Sequence, residues 1–327
     1  MKKRIYGTVF LSALLVLGGC AEDKAGSGKT SEKVVAEHGS EAAKAQSGTT
    51  ASSNDKIEEL TKQFPSKHTE SIVTTSVSIA EMLQILNVKP VGIPTSTHEL
   101  PKGYEKVTQI GSPIEPDVEK IVTLKPDIVI GPESIKDSLD KKIKNSKVDT
   151  AYIPTDSYED LKISLEVLGK VLHKEAEAKD YITQLQEKET AVLDGVKGKD
   201  SSKVMVLFGS GESFMLMSEN TYVGSLVKKL GATNIVNDVL KSTEAYVPMN
   251  MEDVISANPD AILLVSHGDP TAALEQFKAD VKKNGAWEKL NAFKEDRVQA
   301  LDYEIFGYAS IEKATTGLEQ LSEILYK

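Results

Sequence analysis

Cysteine occurs once in the 327 residues, at Cys20, and arginine twice, at Arg4 and Arg297. A lone cysteine excludes an internal disulfide, so an exported domain must be held by buried apolar surface, which 40% hydrophobic residues can supply in a chain this long. Two arginines among 39 basic residues disfavour pockets built from arginine clusters, the usual bidentate grip on carboxylates and phosphates. Positive charge is in deficit too: 49 acidic residues leave a formal net charge of −10, which argues against nucleic acid as a ligand. The apolar stretch Ile5 to Leu17 is too short for a membrane-spanning helix. Catalytic signatures are missing as well. There is no His-x-x-x-His pair and no glycine-rich phosphate loop, and Gly209-Ser210-Gly211-Glu212-Ser213 lacks the G-x-S-x-G spacing of a nucleophile elbow. The chain reads as non-enzymatic.

What is present begins with Lys2-Lys3-Arg4, the apolar stretch, and then Leu17-Gly18-Gly19-Cys20, a pattern that reads as a secretory signal. It resembles the lipobox of bacterial lipoproteins. That resemblance implies removal of residues 1–19 and lipidation of Cys20, with at least two acyl chains, enough for stable anchoring where one chain binds marginally. Loss of Lys2, Lys3 and Arg4 would take the charge to about −13. From Ala21 to about Asp55 the chain is rich in Gly, Ser, Ala, Lys and Glu, without an apolar period. Residues 20–68 are therefore expected to be the lipidated cysteine and a disordered tether, with order beginning near Thr69. His38 lies in that tether and reads as solvated.

Beyond it, short apolar strands alternate with helices, which implies a mostly parallel α/β sheet. Ile72 to Thr75 reads as a strand, Ser78 to Leu86 as a helix with Ile79, Met82, Leu83 and Leu86 on one face, and Val91-Gly92-Ile93 as a strand. A unit then runs from Pro116 to Ile130: a short helix stopped before Pro126-Asp127, followed by an apolar strand. It recurs from Asn250 to Leu264, before Pro259-Asp260, with Glu119 and Glu252 at the same offset. One supersecondary unit used twice at that separation predicts two similar lobes. Between the copies, Leu161, Leu165, Leu168 and Leu172 form one apolar stripe, and a Glu/Lys-rich helix follows from Lys174 to about Val196. About 22 helical residues span roughly 33 Å, enough to cross both lobes. The expected divisions are a signal at 1–19, a tether at 20–68, an N-terminal lobe at 69–160, a helical connection at 161–200 and a C-terminal lobe at 201–327. The last lobe starts with the strand Val204 to Phe208 and ends with a helix from about Ser310 to Leu325.

Lipobox, tether, paired α/β lobes, long helix and repeated Glu…Pro-Asp unit together resemble the class III substrate-binding proteins of bacterial ABC importers, over residues 69–327. Within that class, Val91-Gly92-Ile93-Pro94-Thr95-Ser96, Ile110-Gly111-Ser112-Pro113-Ile114-Glu115-Pro116, Thr221-Tyr222-Val223-Gly224 and Ser266-His267-Gly268 resemble the IsdE-type haem-receptor lipoproteins. The resemblance implies a class III periplasmic-binding-protein fold, haem carried between the lobes as transported ligand, and an ABC permease with its ATPase as partner. It also implies a lipid anchor on the extracytoplasmic face of a Gram-positive cell membrane, and upstream surface proteins as haem donors. It puts Glu119 and Glu252 against arginines of the permease. As chemistry, two exposed carboxylates on matched lobes give register and faster encounter; each also suits the first turn of a helix for its dipole.

For the ligand, His267 follows the strand Ala261 to Val265, at a carboxyl end where open α/β sheets bind ligands, and imidazole is a common iron ligand. The resemblance makes His267 the haem-iron ligand from the C-terminal lobe. The opposite axial methionine of those receptors falls at Ile114, which cannot coordinate iron. Three outcomes stay open: five-coordinate iron with Ile114 packed on the porphyrin; His98, in a loop near the cleft, as second ligand or propionate contact; or another cargo, a ferric hydroxamate siderophore or none. Ser76, Val77 and Ser78 open a helix whose free N–H groups suit a propionate, or are plain caps. Thr95, Ser96, Ile114 and Tyr303, the last in the loop before the final helix, complete the expected pocket. Met215, Met217, Met249 and Met251 read as core packing that can also face a flat apolar ligand. His68 and His173 read as surface residues.

Overall fold

The computed structural model describes residues 53–66, 69–210, 213–266, 269–282 and 285–326. Cys20 and the tether residues before 53, His38, His68 and His267 lie outside the described residues.

The first described element is a helix, α1 at 53–61, inside the span expected to be tether. Ile57 and Leu60 are buried in the main apolar core, with Phe64 packed against it. Lys56 donates to Asp160 at 2.9 Å. Order therefore starts well before Thr69: two apolar residues three apart suffice to dock one short amphipathic turn when a core is waiting for them. Just past α1, Gln63 makes paired 3.1 Å hydrogen bonds with the backbone N–H and C=O of Tyr152, which occupies both groups at the edge of a sheet.

In the N-terminal lobe, β1 (Ile72–Thr74), α2 (Val77–Ile85), β2 (Gly92–Ile93), β3 (Thr108–Gln109), α3 (Val118–Leu124), β4 (Ile128–Pro132), α4 (Lys136–Ile143) and β5 (Asp149–Ile153) follow in order. The sheet is entirely parallel, in the order β3-β2-β1-β4-β5. Ile72, Val73, Ile128, Val129 and Ile130 are fully buried, as continuous apolar strands covered on both faces must be. Two helices then connect the lobes: α5 (Tyr158–Val171), beginning three residues before the expected boundary, and α6 (Glu175–Val196), which has the expected 22 residues. Leu161, Leu165, Leu168 and Leu172 are buried in the main core as the stripe predicts. His173 is exposed, with φ of 57° closing α5.

The C-terminal lobe contains β6 (Lys203–Ser210), β7 (Ser213–Met217), α7 (Tyr222–Lys229), β8 (Thr233–Asn234), α8 (Ile235–Asp238), β9 (Tyr246–Pro248), α9 (Met251–Ala257), β10 (Ala261–Val265), α10 (Pro270–Lys282), α11 (Asn291–Lys294), β11 (Val298–Ala300), α12 (Tyr303–Phe306) and α13 (Ala314–Tyr326). Its strands run β11-β10-β6-β7-β9, with β8 beside β6. The pairs β6–β7 and β7–β9 are antiparallel, so this sheet is mixed where the other is not. Met217 is buried in the main core, while Met249 and Met251 pack on a second, C-terminal cluster.

The repeated unit is repeated in three dimensions. Asp117 caps α3 by accepting from Lys120 N at 3.1 Å, and Asn250 caps α9 by accepting from Glu252 N at 2.9 Å. Both helices end on a left-handed residue, Lys125 (φ 49°) and Asn258 (φ 44°), just before proline. The aspartates that follow do the same work: Asp127 accepts from Ser71 N and Asp260 from Lys203 N, each at 3.0 Å, tying β4 to the start of β1 and β10 to the start of β6.

Candidate ligand cleft between the lobes

The cleft lies at the carboxyl ends of the strands. Thr75 and Ser76 follow β1, Thr95 and Ser96 follow β2, Ser112 follows β3 and Pro132 ends β4; together with Val77, Ser78, His98 and Tyr308 they line a cavity of about 490 Å³. A second cavity of about 430 Å³ shares Ser78 and Tyr308 with it and brings in Phe208, Met217 and Val265 from the ends of β6, β7 and β10. The two adjoin and both lobes contribute, in the position where open α/β sheets take ligands. Among the described residues, neither lining includes a lysine or arginine; hydroxyls, aromatic rings and apolar side chains make up most of it.

Ser76, Val77, Ser78, Thr95 and Ser96 line the first of these cavities together. Ser76 is the N-cap of α2, its side chain accepting from Ile79 N at 3.4 Å. Ser78 instead donates across the cleft to the carbonyl of Ala309. Met217 is the one of the four methionines that lines the cleft. Ile114 lies next to lining residues Ser112 and Pro113 but does not line either cavity; its side chain is 68% exposed. Val265 lines the cleft two positions before His267.

His98 is enclosed where the two lobes meet. Its side chain is 9% exposed and lies against two tyrosines of the other lobe: Tyr303 at 4.9 Å between ring centroids, Tyr308 at 4.3 Å. Its Nδ1 is 3.6 Å from the Glu304 carboxylate. Tyr303 is not in a loop but opens α12, capped by Asp302, and meets the cleft through His98. The final helix starts at Ala314, not Ser310, because Ser310 is turned inward to another task.

That task involves Glu81, which the sequence did not single out. Glu81 sits on the inner face of α2 and is 3% exposed. Tyr308 donates to its Oε1 at 2.7 Å, and the Ser310 hydroxyl stands 2.9 Å from both carboxyl oxygens. Burial pushes the carboxyl up to about 7, with the two hydroxyls pulling the other way. An N-terminal helix and the segment 303–310 are thus joined by a buried network of one carboxyl and two hydroxyls. No local pattern marks a glutamate in an amphipathic helix as buried; the partners lie more than 220 residues away.

A second contact between the lobes is ionic. Ser225 on α7 accepts from Tyr158 N at 3.0 Å, and Lys229 pairs with Glu159 on α5 and with Glu189 on α6, the latter at 2.8 Å. Lys162 joins the same cluster through Glu159 at 2.9 Å and Glu189 at 3.4 Å.

Glu119 and Glu252 stand outside the cleft, exposed at matching positions of α3 and α9.

Two α/β lobes bridged by helices, with a ligand-sized cleft between their strand ends, define a two-lobed substrate-binding protein. The chain belongs to the periplasmic binding protein family, whose profile matches residues 72–304; these are non-enzymatic binding components of ABC transporters. The high-affinity heme uptake system protein IsdE of Staphylococcus aureus (strain Newman) is 32% identical over 257 residues, covering 78% of this chain and 87% of that protein. Among solved structures, an ABC transporter substrate-binding protein from Listeria monocytogenes superposes with a TM-score of 0.73 at 32% identity, over 80% of this chain and 99% of that one. S. aureus IsdE complexed with heme superposes at 0.71 with 31% identity, over 79% and 99%. Among the described residues, no helix is long and apolar enough to cross a membrane.

Proposed function

We propose that this protein is the receptor of an ABC importer that takes haem into the cleft and hands it to a permease and its ATPase. It would act at the outer face of the cell membrane, held by lipid on Cys20 after removal of residues 1–19. The observation that carries the reading is the interlobe cleft itself, apolar and hydroxyl-lined at the strand ends, in a chain 31% identical to a receptor solved with heme bound.

His267 is the proposed iron ligand; Val265 lining the cleft two residues earlier supports it. His98 already lies against Tyr303 and Tyr308, which favours five-coordinate iron with Ile114 toward the porphyrin over His98 as second ligand. Haem propionates would fall to Ser76, Val77, Ser78, Thr95 and Ser96, through hydroxyls and the N-terminal amides of α2 rather than arginine. Haem-donor surface proteins would lie upstream.

A ferric hydroxamate siderophore is the second reading, favoured by the same lining: hydroxyl-rich, with no lysine or arginine among the described residues. An absorption spectrum decides. Purified protein with added haem is expected to show a Soret band, shifted or lost in His267→Ala. An unchanged band in the variant would remove His267 as ligand. No band with haem, together with thermal stabilisation by a ferric hydroxamate, would select the siderophore.

A further inference from the structure

Val122 on α3 and Ile255 on α9 are large apolar side chains that face solvent, at 42% and 43% exposure. Each comes three residues after a glutamate, Glu119 or Glu252, so acid and apolar side chain share one helix face. The next residue in each helix is an exposed hydroxyl, Thr123 or Ser256, and the inward anchor is a fully buried apolar residue, Ile121 or Val254. One exposed aliphatic residue on a protein surface needs no explanation. Two at corresponding positions of two lobes, in helices whose sequences have otherwise diverged, are a different matter: burying Ile121 and Val254 already fixes each helix, and folding asks nothing apolar of the outer face.

We propose that Val122 and Ile255 are the apolar anchors of a two-point docking surface for the permease, each entering a recess beside the cation that meets Glu119 or Glu252. The inference rests on the reading of those glutamates as docking residues. The partner it fits is a membrane protein built of two like halves, each offering a basic side chain with an apolar recess next to it, because two matched ridges call for two matched acceptors. The two components divide the task. Exposed carboxylates speed encounter and set register but are screened by salt. A desolvated aliphatic side chain at the centre of each contact slows dissociation and is nearly indifferent to salt. Lys120 and Asp253, beside the glutamates, break the match in charge while leaving the ridge shape alike.

The test measures affinity of the full-length protein for its permease–ATPase complex, at low and high salt. Val122→Thr with Ile255→Thr keeps the branching at Cβ and cuts back the apolar surface. It is expected to weaken the complex at least about tenfold at both salt concentrations, with ligand affinity and melting temperature unchanged. Glu119→Gln with Glu252→Gln is expected to weaken it at low salt and to approach wild type at high salt. Wild-type affinity in the threonine pair alongside an impaired glutamine pair overturns the apolar anchors and leaves charge docking in place. Wild-type affinity in both pairs overturns the docking reading itself. Should the threonine pair lower the melting temperature, Val122→Ala with Ile255→Ala is measured in its place against the same criteria.

Discussion

Glu81 should make the protein less stable as pH rises through neutrality. In the folded chain burial pushes its carboxyl up to about 7, against an ordinary 4.5 when the chain unfolds. The folded state therefore holds a proton that the unfolded state has lost, and stability falls with pH wherever the folded state binds more protons. The contribution is fully present below 4.5 and is lost as pH climbs to 7, with about 3 kcal/mol separating the two ends. The group is 3% exposed, so solvent screening takes little from that figure. Glu81→Gln fixes the neutral form in nearly the same shape, and Tyr308 and Ser310 can still donate to the amide oxygen. Urea unfolding of both proteins at pH 5 and pH 8 should show the glutamine variant gaining about 2 to 3 kcal/mol relative to wild type across that interval. A stability difference that stays constant from pH 5 to 8 would refute the argument. Glu81 would then be ionised throughout, its charge held by the two hydroxyls.

Gly224→Ala is expected to block folding. An added Cβ would lie 1.8 Å from the carbonyl oxygen of Ser218, where Thr221 already closes the turn by donating to that oxygen at 2.7 Å and accepting from Gly224 N at 3.2 Å. A clash with backbone leaves no side chain to give way, so a cost above about 4 kcal/mol should appear as loss of soluble protein, and a variant melting within a few degrees of wild type would contradict it. Ile114→Met, with haem bound, should convert a five-coordinate iron spectrum to a six-coordinate one. If the spectrum does not change, position 114 does not face the iron.

The elements that could be read from the chain are those whose cause is local. The Glu…Pro-Asp unit was legible because its cap, its proline stop and its strand-tying aspartate act over fifteen residues, and both copies fold alike. The stripe Leu161, Leu165, Leu168 and Leu172 announced a helix by period alone. The antiparallel β7 and β9 are less visible because strand direction and pairing are set by position in the sheet, which a run such as Ser213–Met217 does not encode. Helix α1 is not legible in the sequence, since Ile57 and Leu60 gain meaning only from the core they meet. At the cleft, residues following strands could be placed by topology, whereas Glu81, Tyr308 and Ser310 could not. Their pairing joins positions near opposite ends of the chain, and a buried carboxyl in a helix looks like any surface glutamate until its partners are known.

The two interlobe contacts differ in a way that bears on the cargo. The cluster of Glu159, Lys162, Glu189 and Lys229 is ionic and lines neither of the two cleft cavities. The other contact is built from hydroxyls, a buried carboxyl and aromatic rings, and two of its members, Ser78 and Tyr308, line both cavities. A ligand seated in the cleft thus touches the same side chains that hold α2 against the segment 303–310. Its own contacts and the closure of the lobes therefore share residues, and ligand affinity includes whatever those residues gain or lose when the lobes meet. Because that contact already carries one carboxyl at 3% exposure, a cargo bringing further negative charge toward it meets no compensating cation among the described lining residues. The acidic groups of a ligand would be better accommodated by Ser76, Thr95, Ser96 and the start of α2, which offer donors to the 490 Å³ cavity.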